Sequence, residues 1–265
     1  MNIHPHSSPC IGVFDSGVGG LSILDALRRR LPHAPLTYVG DVAYAPYGER
    51  TPAEVIDRCQ RIVRQLIERG ADTIVVACNT ATVLTIDSLR MHWPALRFVG
   101  VEPGVKPAAE ATRIKRIAIM TTSATASSSR LQHLIRTFAS GVHVHVEPCP
   151  GLATAIERGM LAGPHLHAVL DPLCARVRAA QVDTVVLGCT HYPFVADSIQ
   201  ALLGNHVEII DTARAVAERV ADVWDGAVAA RVHLRVLSTG ASAPMQALLE
   251  QCRTLELARV ETLSI

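Results

Sequence analysis

Short apolar runs rich in Val and Ile alternate with longer stretches of helical periodicity down the whole chain. That is the pattern of a parallel sheet whose strands are covered by helices on both faces. The runs CIGVF, LTYVG, TIVVA, RFVGV, IAIM, VHVHV, TVVLG, VEII and VHLRVL predict strands, and the C-terminal ARVETLSI predicts one more. A helix is expected over 51–69, with Pro52 at its first position, where the missing N–H costs nothing, and Gly70 at its end.

Sliding the chain against itself brings out an internal repeat. ADTIVVACNT matches VDTVVLGCTH, so that Asp72, Thr73, Val75 and Cys78 correspond to Asp183, Thr184, Val186 and Cys189. A fainter echo at a similar offset joins IGVFDSGVGGLSIL to IAIMTTSATASSSRL. Two motifs repeated in the same order predict an α/β protein of two pseudo-symmetric lobes, each a mainly parallel sheet flanked by helices. Asp72 and Asp183, which precede their strands, are expected in turns or caps.

Each repeated strand runs into a cysteine followed by residues that suit a helix N-cap: Cys78-Asn79-Thr80 and Cys189-Thr190-His191. Ligands of open parallel sheets bind beyond the carboxyl ends of the strands, so the two thiols are expected in one cleft between the lobes. A helix N-terminus beyond a thiol favours the thiolate. Two facing acid-base cysteines suit the inversion of a carbon centre, one removing a proton while the other delivers one.

Composition narrows the alternatives. The 265 residues carry 25 basic and 24 acidic side chains, a balance that gives no electrostatic reason for a nucleic-acid partner. The densest basic run, Arg28-Arg29-Arg30, is expected on a solvated helix end. No apolar stretch is long enough to span a membrane, and the start MNIHPHSSPC lacks a signal-peptide pattern, so a cytoplasmic location is expected. Seven cysteines without a Cys-x-x-Cys pair argue against a disulfide framework or a zinc knuckle. Lys106 and Lys115 are the only lysines, a thin choice for a Schiff-base enzyme. The pairs His4/His6, His143/His145 and His165/His167 have no carboxylate or cysteine spaced to complete a metal shell, and a half-exposed strand explains VHVHV. After Phe14, the run Asp15-Ser16-Gly17-Val18-Gly19-Gly20 has G-x-G-G spacing, and Asp15 would repel a pyrophosphate, so dinucleotide binding is not expected. Asp41, after Val39-Gly40, falls on a strand end equivalent to that of Asp15, and the turn Pro46-Tyr47-Gly48 that follows reads as an ordinary loop punctuated by Pro and Gly.

Taken together, FDSGVGGLSIL, PYGER, ACNTAT, CPGLATAIE and GCTHYP, in that order, resemble the glutamate racemases, a branch of the cofactor-independent aspartate/glutamate racemase superfamily. The resemblance covers residues 11 to 240. It implies reversible interconversion of L- and D-glutamate by proton abstraction at Cα, without pyridoxal phosphate, metal or other cofactor, supplying D-glutamate for peptidoglycan. By similarity Cys78 is the base acting on D-glutamate and Cys189 the base acting on L-glutamate. Asp15 assists Cys78, His191 assists Cys189, and Glu157 has a supporting acid-base or positioning role. Asp15, Ser16, Pro46, Tyr47, Gly48, Asn79, Thr80, Thr122, Thr125, Thr190 and His191 match substrate-binding positions. The resemblance also implies a first lobe of residues 1–100 plus 211–265, a second lobe of 101–210, and a homodimer. Thr121 and Thr154 depart from the family pattern, which commonly has a glycine before Thr122 and a proline at position 154.

Two other classes compete. A cysteine hydrolase or amidase would use Cys189 with His191, but residues two apart at a strand-to-helix turn rarely orient as nucleophile and base, and Cys78 is left without a role. A two-lobed binding protein would hold an acidic amino acid without exchanging its α-proton.

Overall fold

The computed structural model describes residues 9–226, 233–252, 254–256 and 258–265. His4, His6 and Val232, named above, lie outside the described residues. The chain divides into two compact units, Met1–Val101 with Ala213–Ile265, and Glu102–Thr212.

The first unit begins with β1 (Cys10–Asp15), α1 (Leu21–Arg30), β2 (Leu36–Gly40), α2 (Pro52–Glu68), β3 (Ala71–Val76), α3 (Asn79–His92) and β4 (Arg97–Gly100). The second unit holds α4 (Val105–Ala111), β5 (Arg116–Thr121), α5 (Ser123–Ala126), α6 (Ser129–Phe138), β6 (His143–Pro148), α7 (Leu152–Glu157), α8 (Pro164–Ala179), β7 (Thr184–Gly188), α9 (Ala196–Leu203) and β8 (Glu208–Ile210). The chain then returns to the first unit with α10 (Ala213–Val223), β9 (Leu234–Ser238), α11 (Ala243–Leu249) and β10 (Val260–Thr262).

All the strand pairings are parallel. The first sheet runs β10-β9-β2-β1-β3-β4 and the second β6-β5-β7-β8. The inner order β2-β1-β3-β4 recurs as β6-β5-β7-β8, so the sequence repeat is a repeat of topology. Cys78 follows β3, and Cys189 follows its counterpart β7.

Local chemistry explains where elements start. Thr51 Oγ1 accepts from Glu54 N, and Thr51 N donates to Glu54 Oε2 at 2.9 Å, a reciprocal cap before Pro52. Along α2, Val55, Cys59, Ile62, Val63 and Leu66 share one buried face against the sheet. Each fully buried aliphatic side chain there stabilises the fold by about 1.5–3 kcal/mol. In the second unit Ala118, Met120, Val185 and Leu187 pack against Leu166, Leu170 and Leu173 of α8.

The solvated reading of the arginine run fails at Arg28. That side chain is buried, donating from Nη1 to Pro32 O at 2.9 Å and Ala34 O at 3.1 Å, where it ties the loop after α1 to the helix end. Only Arg29 and Arg30 face outward, paired with Asp25 and Glu218. On β6, His145 Nε2 meets Glu147 Oε2 at 3.0 Å, and Glu147 is buried against Arg176. Among the described residues no helix is long and apolar enough to cross a membrane, and no group of three or more His, Cys, Asp or Glu could hold a metal ion.

Candidate active site

In the first unit, β1 ends at Asp15, whose side chain is buried. The chain turns back on itself there, and Asp15 Oδ2 accepts from Gly17 N at 3.2 Å and Gly20 N at 2.9 Å. The amides of the glycine turn are therefore directed at a carboxylate of the protein itself, which removes the dinucleotide reading physically. Gly20 is required by space: a Cβ there would lie 2.6 Å from Asp15 Cβ and 3.0 Å from the Tyr38 ring.

Cys78 is the N-cap of α3, with extended backbone and its Sγ accepting from Ala81 N at 3.5 Å. Its thiol reaches Ser16 Oγ at 3.6 Å. The N-terminus of a three-to-four-turn helix, with its dipole and an amide directed at the sulfur, favours a thiolate at this position. Asn79 and Thr80 are buried behind it, Asn79 Nδ2 donating to Val101 O at 3.4 Å while its buried Oδ1 has no partner among the described residues. The turn of Pro46, Tyr47 and Gly48 lies in the loop after β2, and the Tyr47 hydroxyl donates to Asp41 Oδ2 at 2.7 Å.

In the second unit the matched strand end behaves differently. The residues after Cys189 form a turn and a short 3-10 stretch, Tyr192–Val195, before α9 begins. The expectation of a second helix-capping thiol is thus not met. Instead Cys189 Sγ lies 3.6 Å from His191 Nδ1, and His191 Nε2 lies 2.6 Å from Glu157 Oε1, at the end of α7. Two residues apart, Cys189 and His191 do come into side-chain contact, because Thr190 and His191 turn the chain back before any helix forms. Burial pulls the His191 pKa down, but the thiol and carboxylate on either side outweigh it and hold the imidazole well above its usual 6.5.

Thr122 caps the short α5, its Oγ1 accepting from Thr125 N at 3.2 Å and donating to Thr125 Oγ1 at 3.1 Å. Thr125 and Thr190 are buried. Asp15, Ser16, Pro46, Tyr47, Gly48, Cys78, Asn79 and Thr80 therefore belong to the first unit, and Thr122, Thr125, Glu157, Cys189, Thr190 and His191 to the second.

The other five cysteines are unpaired and buried. Burial pushes the thiols of Cys10 and Cys174 up to about 11 and that of Cys252 up to about 12, and raises those of Cys59 and Cys149 as well. Such thiols are inert. Asp41, named from the sequence only for its place at a strand end, and Tyr192, which lies within GCTHYP, are both placed beside site residues by the fold. Asp41 underlies Tyr47, and Tyr192 sits behind Cys189, its buried hydroxyl without a well-formed hydrogen bond among the described residues. A tyrosine in an apolar turn gives no periodicity signal, whereas Asp41, directly beyond β2, stood at the strand end where ligand-facing residues collect.

These features define a class. The family model of Asp/Glu/hydantoin racemases matches residues 21–220, and the chain belongs to that family. Within it, the chain is 46% identical over 213 residues to a glutamate racemase of Pseudomonas aeruginosa, covering 80% of each chain. Its structure is similar to a glutamate racemase isoform of Bacillus anthracis, with a TM-score of 0.85, 29% identity and coverage of 99% and 98% of the two chains. It is also similar to the Escherichia coli glutamate racemase in complex with L-glutamate and the activator UDP-MurNAc-Ala, with a TM-score of 0.83, 29% identity and coverage of 97% and 98%.

Proposed function

We propose that this chain is a glutamate racemase, an isomerase interconverting L- and D-glutamate without a cofactor, and that Cys78 and Cys189 carry the proton in and out. The carrying observation is the pair of cysteines at the ends of equivalent strands, one on a helix N-terminus and one beside a histidine of raised pKa. Support for glutamate comes from the curated relatives and from the relative that holds L-glutamate.

In the L-to-D direction the Cys189 thiolate takes the α-proton. The C–H bond breaks, an S–H bond forms, and the electron pair stays on Cα and its carboxylate. The Cys78 thiol then gives its proton to the opposite face, leaving Cys78 as thiolate and Cys189 as thiol. The D-to-L direction runs the same steps in reverse, so the resting enzyme needs one thiol and one thiolate. A protonated His191 holds the Cys189 thiolate by charge and hydrogen bonding, and Glu157 keeps that imidazole protonated and oriented. Asp15 assists Cys78. Ser16, Asn79, Thr80, Thr122, Thr125 and Thr190, with the 46–48 turn, hold the substrate's carboxylates and amino group. The product supplies D-glutamate for peptidoglycan in the cytoplasm, and the assembly is a homodimer, a point that light scattering decides.

The test is incubation with each enantiomer in D2O, following optical rotation and deuterium at Cα. Rotation lost with deuterium in the product, and abolished by Cys78→Ala or Cys189→Ala, supports two-base racemisation. Absence of exchange and inversion refutes it. A second reading, a cysteine hydrolase built on Cys189, His191 and Glu157, is favoured by their contact geometry alone. It requires amide or ester hydrolysis that survives Cys78→Ala.

A further inference from the structure

Asp41 is fully buried, yet both of its oxygens are occupied. Oδ2 accepts from the Tyr47 hydroxyl at 2.7 Å and from Arg58 Nε at 2.8 Å. Oδ1 accepts from Arg58 Nη2 at 2.8 Å and from Thr239 Oγ1 at 2.6 Å. The backbone is held too: Asp41 N donates to the carbonyl of Asp15 at 2.9 Å. Asp41 thus ties the end of β1 through its amide, and the loop after β2, helix α2 and the loop after β9 through its carboxylate.

Neither oxygen is left for a substrate or for proton transfer, so Asp41 is not an acid or base of the reaction. The Tyr47 phenol is equally spent, on Asp41. What the 46–48 turn offers a ligand is its main chain, and among the described residues the N–H groups of Tyr47 and Gly48 have no acceptor. Their placement follows from where the phenol is anchored. Arg58 braces the same loop a second time, its guanidinium 5.3 Å from the centroid of the Tyr44 ring, with Arg50 at 4.7 Å from that ring. Thr239 closes the loop from another side, accepting from Ala43 N at 3.2 Å.

A buried bidentate ion pair is a costly way to gain stability, because desolvation cancels much of the attraction; its return is a fixed geometry. We propose that Asp41 is a positioning residue for glutamate binding, acting through Tyr47 to fix the 46–48 turn, with Arg58 and Thr239 holding Asp41 in place. This rests on the racemase reading.

The test measures kcat and KM for both enantiomers in the full-length Asp41→Asn protein, with thermal unfolding alongside. A role in stability alone lowers the amount of active enzyme, which scales kcat and leaves KM unmoved. The positioning role raises KM for D- and L-glutamate by roughly tenfold or more, with kcat within about threefold of wild type. Arg58→Lys, which keeps the charge and loses the two-pronged contact, gives a smaller rise in KM. Tyr47→Phe, which keeps the ring and loses only the hydroxyl, gives a rise in the same direction and decides the matter if Asp41→Asn does not fold. An unchanged KM in the folded variants of an active wild type overturns the role of Asp41 alone. A wild type that does not racemise glutamate overturns the racemase reading and the proposal with it.

Discussion

His191 and Glu157 meet at 2.6 Å between Nε2 and Oε1, while the other ring nitrogen of His191 faces Cys189 Sγ at 3.6 Å. Burial disfavours the imidazolium, yet the thiol and the carboxylate together hold its pKa well above 6.5. A histidine raised in this way contributes stability that is fully present below its unfolded pKa, about 6.5, and is lost as pH rises through the folded value. Glu157→Gln removes the negative charge, so the folded pKa falls and the imidazolium is lost at lower pH. The alkaline limb of the kcat profile is expected to move to lower pH, with kcat down by roughly 10- to 100-fold at its maximum. A pH-rate profile that keeps the wild-type alkaline limb would refute a role for Glu157 through His191.

Gly20 is held to glycine by space, since its φ of −63° suits any residue. The Cβ of Gly20→Ala would sit 2.6 Å from Asp15 Cβ, against a carboxylate that also accepts from the Gly20 amide. Either Asp15 or Tyr38 must move. Overpacking of this kind costs about 1–3 kcal/mol, measurable by urea unfolding, and racemisation is expected to fall by roughly tenfold or more as Asp15 shifts. Wild-type kcat in a destabilised Gly20→Ala protein would separate Asp15 from the chemistry.

The strands were legible because Val- and Ile-rich runs bounded by polar turns leave little freedom in a doubly covered parallel sheet, and among the described residues each run named from the sequence overlaps a strand. The repeat was legible for the same reason: Cys78 and Cys189 follow strands of equal rank in sheets of the same inner order. The contact of Glu157 with His191 was not, because it joins residues 34 apart in sequence and depends on where α7 ends. Nor was the difference between the two thiols, which hinges on whether a helix or a turn follows a matched strand-to-cysteine start. Arg28 misled because a charge run reads as solvated, while two carbonyl acceptors after the helix, at Pro32 and Ala34, draw its guanidinium inward. The role of Asp41 was not legible because, besides Tyr47, its donors come from α2 and from Thr239, close to the other end of the chain.

Asp183, the repeat partner of Asp72, shows how the same aspartate can hold a turn outside the chemistry. Its carboxylate accepts from Thr112 Oγ1 at 2.5 Å, Arg113 N at 2.8 Å, Ile114 N at 3.1 Å and Thr184 Oγ1 at 3.1 Å, pinning the turn that leads into β5. Burial pushes its pKa up, but these four donors outweigh burial and the net shift is downward. A carboxylate depressed on folding contributes stability that is present above its unfolded pKa, about 3.9, and is lost as pH falls through the folded value. Asp183→Asn keeps the shape but replaces an anionic acceptor with a neutral amide that must turn one N–H₂ toward donors. Stability at neutral pH is expected to drop by about 1–3 kcal/mol, and the variant's acid limb of stability to flatten below about pH 4. Because Asp183 touches no residue assigned to proton transfer, kcat and KM per folded molecule should stay at wild-type values. Urea unfolding as a function of pH, read beside the kinetics, decides both points, and a loss of kcat with unchanged stability would place Asp183 in the reaction instead of the turn.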